Sequence, residues 1–470
     1  MAPSLSSSPK LQPHVVIFPF MSQGHTLPLL DLSRALSNLN LTVTIITTPS
    51  NSSQILHYIS KHPNIHLKTI PFPVLRGLPT PCENTSHLPS MAYLPQFFTA
   101  TIQLQEPFDQ ILQDMSNTGS LPICVISDFF LEWTLATCRK FNVPRIVFHG
   151  MGVLSMVISK YVWVNAEQLI TESDSEAPLQ LSDLNLPFTL TKADFPYPVL
   201  AADRSDPFSR FITEVGESDV QSWGVIVNSF AELENEHVSK LESFYKEAWC
   251  VGPLLLYDEM VAEDESDETI MWLDERCSGS VMYVSFGTQA DVSDMQLNEI
   301  VWGLEMSDQP FICVIRSRTW TPPDGLEDKV KGRGLVVRDW VDQRRILSHR
   351  ATGGFLSHCG WNSVLEGVSF GVPLLVWPMM AEQPLNAKIV VDGMGVGLWV
   401  PKEPTCREGD EIVAIKREEI CEGVQELMGS EKGRKAKERA ENLGRLARQS
   451  VQKDGSSYKR LNQLIDRLIM

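Results

Sequence analysis

Short β-branched runs alternate with longer amphipathic stretches along most of the chain. His14–Phe20 (HVVIFPF) reads as a strand. Thr26–Leu39 reads as a helix, because Leu29, Leu30, Leu32, Leu36 and Leu39 lie close to helical spacing. Further strands are predicted at Leu41–Thr47, Ile65–Ile70, Ile123–Ser127, Arg145–Phe148 and Gly224–Val227. The pattern pauses near Trp249–Pro253, and Asp258–Glu268 then carries seven acids and no base, which predicts a solvated linker. A second strand series follows at Val281–Phe286, Phe311–Ile315, Gly334–Arg338, Gly353–Leu356, Pro373–Val376 and Val396–Val400. Lys416–Met470 is helical and charge-laced. Continuous apolar strands separated by helices are covered on both faces, so the reading is two doubly wound parallel-sheet α/β domains. Their boundaries are predicted as a disordered tail over 1–13, a first domain over 14–253, an acidic linker over 254–270 and a second domain over 271–450, with a final helix over 451–470. Ligands of such sheets bind beyond the carboxyl ends of the strands, which makes the cleft between the domains the expected site.

Composition narrows the partners. Of 470 residues, 58 are acidic and 40 basic, giving a net charge of −18. That field repels nucleic acid and anionic membranes. The longest nearly unbroken apolar run, Val372–Ala381, has ten residues and two prolines, about half of what a membrane span needs. Nine scattered cysteines without CxxC spacing argue against structural zinc and for buried thiols in a reducing compartment. Met1–Pro13 lacks the basic and apolar regions of a signal peptide, so the expected location is cytoplasmic and the expected state a monomer.

Chemistry concentrates at strand exits. Gly24 lets the chain turn after the first strand, and His25 then stands near a helix start, where a pKa near 6.5 suits a base. Asp128 follows Ile123–Ser127 at the same sheet edge. It could fix the tautomer of His25, or it could cap the helix starting near Leu131. After the strand Gly353–Leu356 comes Ser357-His-Cys-Gly-Trp-Asn-Ser363, small and polar residues leading into a helix. Free N–H groups and the helix dipole there suit a diphosphate, and His358 could add a proton or a donor. Ser285-Phe-Gly-Thr288 repeats the device, with Gly287 permitting close backbone approach. Glu366, one turn beyond Asn362 and Ser363, would repel a phosphate but could accept two ribose hydroxyls, or be an exposed helical acid. Trp340 could stack on a flat base, or belong to the core.

Two motifs fail on context. Gly367-Val-Ser-Phe-Gly371 matches a nucleophile elbow, yet a helix precedes it and a strand follows. Gly393-Met-Gly-Val-Gly397 leads into a strand rather than a helix, so it is no dinucleotide fingerprint. No Asp-x-Asp pair marks a strand end, so no metal ligands are expected.

The 44 residues Trp340–Gln383 resemble the signature segment of plant secondary-product UDP-glycosyltransferases. They read WVDQRRILSH, then GGFLSHCGWNSVLEGV, then GVPLLVWPMMAEQ. The likeness extends to GHTLP at Gly24–Pro28, ISDF, VNSFAELE at Val227–Glu234, VGPL at Val251–Leu254 and SFGT. It implies a GT-B fold of two facing Rossmann-like domains and inverting, metal-independent sugar transfer. UDP-sugar, with UDP-glucose favoured, would be a co-substrate rather than a cofactor, and a small lipophilic plant metabolite the acceptor. The first domain would bind the acceptor and the second the donor, with the 451–470 helix packing back on the first. His25 would be the general base and Asp128 its partner. Trp340 would stack on uracil, with Val341 and Gln343 at the nucleoside. His358, Gly360, Asn362, Ser363 and Ser285, with Thr288, would hold the diphosphate, and Glu366 the ribose. Trp361, Glu382 and Gln383 would line the sugar. Two departures stand out: Val-Asp follows Trp340 where Ala/Cys-Pro is usual, and Glu382 replaces the usual Asp. The acceptor pocket is expected from Thr85–Phe98, His149–Val153 and Phe188–Phe208. A nucleotide-sugar epimerase or hydrolase would need a second acid/base pair, and a non-catalytic sugar-nucleotide sensor would not need His25 and Asp128.

Overall fold

A computed structural model describes residues 12–470 except 75–76, 79–80, 170–176, 180, 196–205, 258–266, 289, 291, 318, 401–406, 409–410 and 413. Most of the N-terminal tail, most of the acidic linker and part of the Phe188–Phe208 loop therefore lie outside the described residues. Seven parallel strands form the first sheet: β1 (His14–Phe18), β2 (Thr42–Thr47), β3 (Ile65–Thr69), β4 (Cys124–Asp128), β5 (Arg145–His149), β6 (Gly224–Val227) and β7 (Ala248–Cys250). Their spatial order is β3-β2-β1-β4-β5-β6-β7. Six more parallel strands form the second: β8 (Val281–Ser285), β9 (Phe311–Val314), β10 (Gly334–Val337), β11 (Thr352–Ser357), β12 (Leu374–Val376) and β13 (Gly397–Trp399). Their order is β10-β9-β8-β11-β12-β13.

Both orders start a new half at the centre of the sheet, where β1 abuts β4 and β8 abuts β11. That is the switch point at which doubly wound sheets open a crevice for ligands. The central strands are buried along their length, which is why their sequences run apolar without alternation. β7 occupies the stretch where the hydrophobic pattern pauses. A three-residue edge strand is too short to show a period. Leu254 and Leu255, placed by the sequence in the linker, are buried instead, and Leu254 belongs to the first core.

The last helix, Ser456–Ile469, crosses back to the first sheet. Leu461, Leu464 and Ile465 enter the core formed by Val15, Ile17, Leu29 and Ile45. Ser457 Oγ donates to the Gly252 carbonyl, and Arg467 pairs with Glu247 at 3.0 Å. Packing of this apolar stripe, at roughly 1.5–3 kcal/mol per buried aliphatic side chain, ties the chain's end to the opposite domain.

Candidate active site

The first helix begins at Gln23, three residues earlier than its leucine spacing suggests, so His25 stands inside its first turn. Pro28 lies further along the same helix. It has no N–H, so the Gly24 carbonyl loses its helical partner four residues on. Asn362 of the second domain fills that gap, donating from Nδ2 to the Gly24 oxygen at 2.6 Å. A proline that looks like a helix breaker thus opens an acceptor beside His25 for the opposite domain.

Asp128 is the last residue of β4, next to β1 in the sheet, and is wholly buried. Its Oδ2 accepts from His25 Nδ1 at 2.8 Å, while Oδ1 accepts the Phe130 N–H at 3.0 Å. The capping reading fails, because the next helix starts at Thr134 with Trp133 at its cap and the Phe130 contact belongs to a turn, whereas the pairing with His25 is present. The bond fixes Nδ1 as the protonated nitrogen and leaves Nε2 for an incoming hydroxyl. Phe20, Phe129 and Phe130 pack around the imidazole with ring centroids 5.4–5.7 Å away, while its side chain keeps 23% exposure. Burial pulls the His25 pKa down. The Asp128 charge and hydrogen bond, helped by the Glu382 charge, outweigh it and raise the pKa above 6.5.

Across the cleft, β11 ends in Ser357 and turns through Cys359, which has a left-handed φ of 65°. The helix Trp361–Phe370 starts there, with Gly360 at its cap. His358 packs edge-on to two backbones, so that a Cβ on Gly287 or Gly360 would lie 2.8 or 2.7 Å from its Nε2. Only glycine fits at either position while the imidazole stays. Burial pushes the His358 pKa down to about 4, with the Ser285 backbone pulling weakly the other way. Burial thus favours the neutral imidazole near pH 7, with one ring nitrogen able to donate a hydrogen bond. Ser285 is buried at the end of β8, and Thr288 is partly exposed in the turn that follows.

Glu366 is buried, which overturns the exposed-acid reading. Its Oε2 accepts from Gln343 Nε2 at 2.7 Å and its Oε1 from Arg344 Nε at 2.9 Å. Gln343 Nε2 also reaches Ser363 Oγ at 3.0 Å, and Tyr283 donates to Gln343 Oε1 at 3.2 Å. Trp340 is 61% exposed, a free flat surface rather than core, and Val341 beside it is partly buried. Trp361 corrects an expectation. Its indole is 2% exposed, donates to the Asn228 carbonyl at 2.8 Å and packs on Gly152, where a Cβ would come within 2.7 Å. The side chain is a wedge between the domains and not part of an open sugar-lining surface. Gln383 is also more committed than expected. Its Oε1 accepts the N–H groups of Met379 and Met380, both at 2.9 Å, which leaves its NH2 to meet a ligand. Glu382 accepts from Asn386 at 3.2 Å, and burial raises its pKa against the counter-pull of His25.

Sequence reasoning missed Arg344, Asp31 and Tyr58, which join this site to the first helix. It also missed Phe20, Phe129 and Phe130. The Phe-Phe pair directly after Asp128 was the available signal for the latter. Among the described residues no group of three or more His, Cys, Asp or Glu side chains could hold a metal ion. No described helix is long and apolar enough to cross a membrane. Those cysteines that are described are free thiols, all buried except Cys277.

Two facing Rossmann-like domains, with a His–Asp pair on one lip and a helix N-terminus on the other, have the architecture of a GT-B glycosyltransferase. Comparison with known proteins agrees. Residues 12–255 match the family model "Glycosyltransferase, N-terminal domain", and residues 260–402 match "UDP-glucoronosyl and UDP-glucosyl transferase". The scopoletin glucosyltransferase of Nicotiana tabacum is 36% identical over 97% of this chain and 98% of its own. Glycyrrhiza uralensis UGT73P12, solved with glycyrrhetinic acid 3-O-monoglucuronide, superposes with a TM-score of 0.85 at 29% identity, covering 97% of this chain and 96% of that one. Phytolacca americana UGT2, solved with UDP-2-fluoro-glucose and pterostilbene, gives 0.81 at 27% identity, covering 97% and 99%. The chain belongs to the plant UDP-glycosyltransferase family and is a UDP-sugar-dependent transferase, with the UDP-sugar as co-substrate.

Proposed function

We propose that the protein moves glucose from UDP-glucose, with inversion and without a metal, onto a hydroxyl of a small lipophilic plant metabolite. One observation carries this reading: the His25–Asp128 dyad, walled by phenylalanines, faces the helix N-terminus at Gly360–Ser363 across a seam closed by Asn362. His25 Nε2 takes the acceptor proton as the acceptor oxygen attacks the anomeric carbon, and Asp128 stabilises the imidazolium. UDP departs on the opposite side, its growing charge met by the N–H groups of Gly360–Ser363, the hydroxyl of Ser285 with Thr288 near it, and neutral His358 as a donor. Trp340 offers its exposed face to uracil with Val341 and Gln343 beside it, and Glu366 takes the ribose. Gln383 donates to a sugar hydroxyl, and Glu382 accepts from another. Both halves of the site come from one chain, which supports a monomer, and buried free thiols support a cytoplasmic location.

The test is a donor panel with a phenolic acceptor, following UDP release and product mass and anomeric configuration. UDP-glucose is expected to give the highest kcat/KM and a β-linked product. A donor whose hydroxyl cannot meet Gln383 Nε2 leaves that buried amide unpaired, a cost that hydrogen-bonding sites impose strongly. Another UDP-sugar used about tenfold better, roughly 1.4 kcal/mol in transition-state energy, would overturn the glucose assignment.

The raised pKa of His25 sets a pH profile. Only the neutral imidazole is a base, so kcat/KM should climb as pH rises through an inflection above 6.5. Asp128→Asn removes the main charge that raises the pKa. Its acid limb should move to lower pH while the plateau falls, because the tautomer is no longer fixed. An inflection that stays in place would separate Asp128 from the titration of His25.

A further inference from the structure

Arg344 stands where the donor side and the catalytic helix meet. It is the second residue of the helix Gln343–Ser348. Its Nε donates to Glu366 Oε1 at 2.9 Å. Its other two nitrogens leave the second domain altogether. Nη2 donates to Asp31 Oδ2 at 2.7 Å, and Nη1 donates to Asp31 Oδ1 at 3.0 Å and to Tyr58 Oη at 2.9 Å. Asp31 lies on the same helix as His25, six positions further along. Tyr58 donates to Asp31 Oδ1 at 2.9 Å, and Arg34 adds a second guanidinium to that oxygen at 2.8 Å. The whole group is buried or nearly so. Burial alone would raise the Asp31 pKa, but Arg344 and Arg34 hold the carboxyl below its ordinary value.

We propose that Arg344 is a positioning residue that couples occupancy of the ribose site to the helix bearing His25. Asp31 meets the two terminal nitrogens of the guanidinium end-on, one oxygen to each, the geometry of a bidentate pair. Glu366 meets only Nε. This division leaves lone pairs on the Glu366 carboxylate for two hydroxyls of a nucleoside. Were Asp31 neutral, the full charge of Arg344 would fall on Glu366, and the guanidinium would compete with the ribose for the same oxygens. A residue of the first domain that touches no donor atom therefore sets donor affinity. Linkage makes the effect reciprocal: a bound donor steadies the Asp31 end of the contact, and with it the helix that aims His25.

The coupling rests on the UDP-sugar reading of the cleft and is tested by titrating UDP into the full-length protein, with thermal melting as the folding check. Asp31→Asn is expected to weaken UDP binding by about five- to tenfold, the lower end of the usual coupling between sites. Tyr58→Phe, which removes one shared hydroxyl and buries no new charge, should shift it in the same direction by about twofold, and it carries the test if Asp31→Asn folds poorly. In an Arg344→Gln background Asp31→Asn should have no further effect, because its route to the donor is gone. UDP affinity within experimental error of wild type in both Asp31→Asn and Tyr58→Phe would overturn the coupling, leaving Arg344 an interdomain strut. So would an equal loss in the Arg344→Gln background. A wild-type protein that binds no UDP would count against the functional reading instead.

Discussion

Replacing His25 with alanine is expected to lower turnover by about 10²–10⁴, the usual contribution of a positioned general base. UDP affinity should change by less than about twofold, an effect under roughly 0.4 kcal/mol. The split follows from the geometry. His25 bonds to Asp128 and packs on phenylalanines of the first domain, whereas Glu366, Gln343 and His358 all belong to the second. Thermal melting serves as the folding check, because losing the imidazole leaves one oxygen of the buried Asp128 without its partner. Turnover within threefold of wild type would remove the histidine from the reaction. Asp128→Ala should cost less, since it orients the imidazole without touching the acceptor.

Glu366→Ala is expected to weaken UDP binding at least a hundredfold and raise the donor KM correspondingly, with acceptor KM unchanged. Hydrogen bonds to a charged group contribute about 1.5–3 kcal/mol each. Two ribose hydroxyls on one carboxylate then account for two decades or more, since about 1.4 kcal/mol is tenfold. Glu366→Gln keeps the shape and one acceptor oxygen, so it should fall between alanine and wild type. The substitution also strips partners from Gln343 and Arg344, but Arg344 keeps Asp31 and Tyr58, so the fold should survive. Calorimetry settles the point. UDP binding to Glu366→Ala within threefold of wild type would move the ribose elsewhere.

Both substitutions concern residues visible in the sequence, and the reason is physical. Strand exits in a parallel sheet gather at one edge, so His25, Asp128, Ser285 and the Ser357–Ser363 turn could be placed by locating the apolar runs. The two-domain division was readable for the same reason, since buried parallel strands carry unbroken apolar runs. Contacts between distant segments were not readable. Nothing local marks Asp31 as a partner of Arg344, which is 313 positions away. Trp361 sits inside the signature segment, and only the packing on Gly152 shows that its indole is a wedge. The direction of Gln383 depends on two backbone N–H groups in a turn with no periodic pattern. β7 escaped notice because three residues at an edge carry too little pattern.

The hydrogen bond from Asn362 to the Gly24 carbonyl bears on how such enzymes can be recombined. The two halves of the site lie on separate domains, which invites the grafting of one protein's front half onto another's back half. In this chain the seam is not neutral. Pro28 in the front half leaves a carbonyl that the Asn362 amide of the back half must occupy, Asp31 awaits Arg344, and Ser155 donates to Asn386 at 2.7 Å. A graft that brings a front half lacking the proline would present an already satisfied carbonyl to Asn362, and one lacking the aspartate would take from Arg344 its bidentate partner. Such partners behave as co-inherited pairs. A workable crossover for this scaffold is one that carries both members of each pair from the same parent, even when the breakpoint itself falls in a tolerant loop.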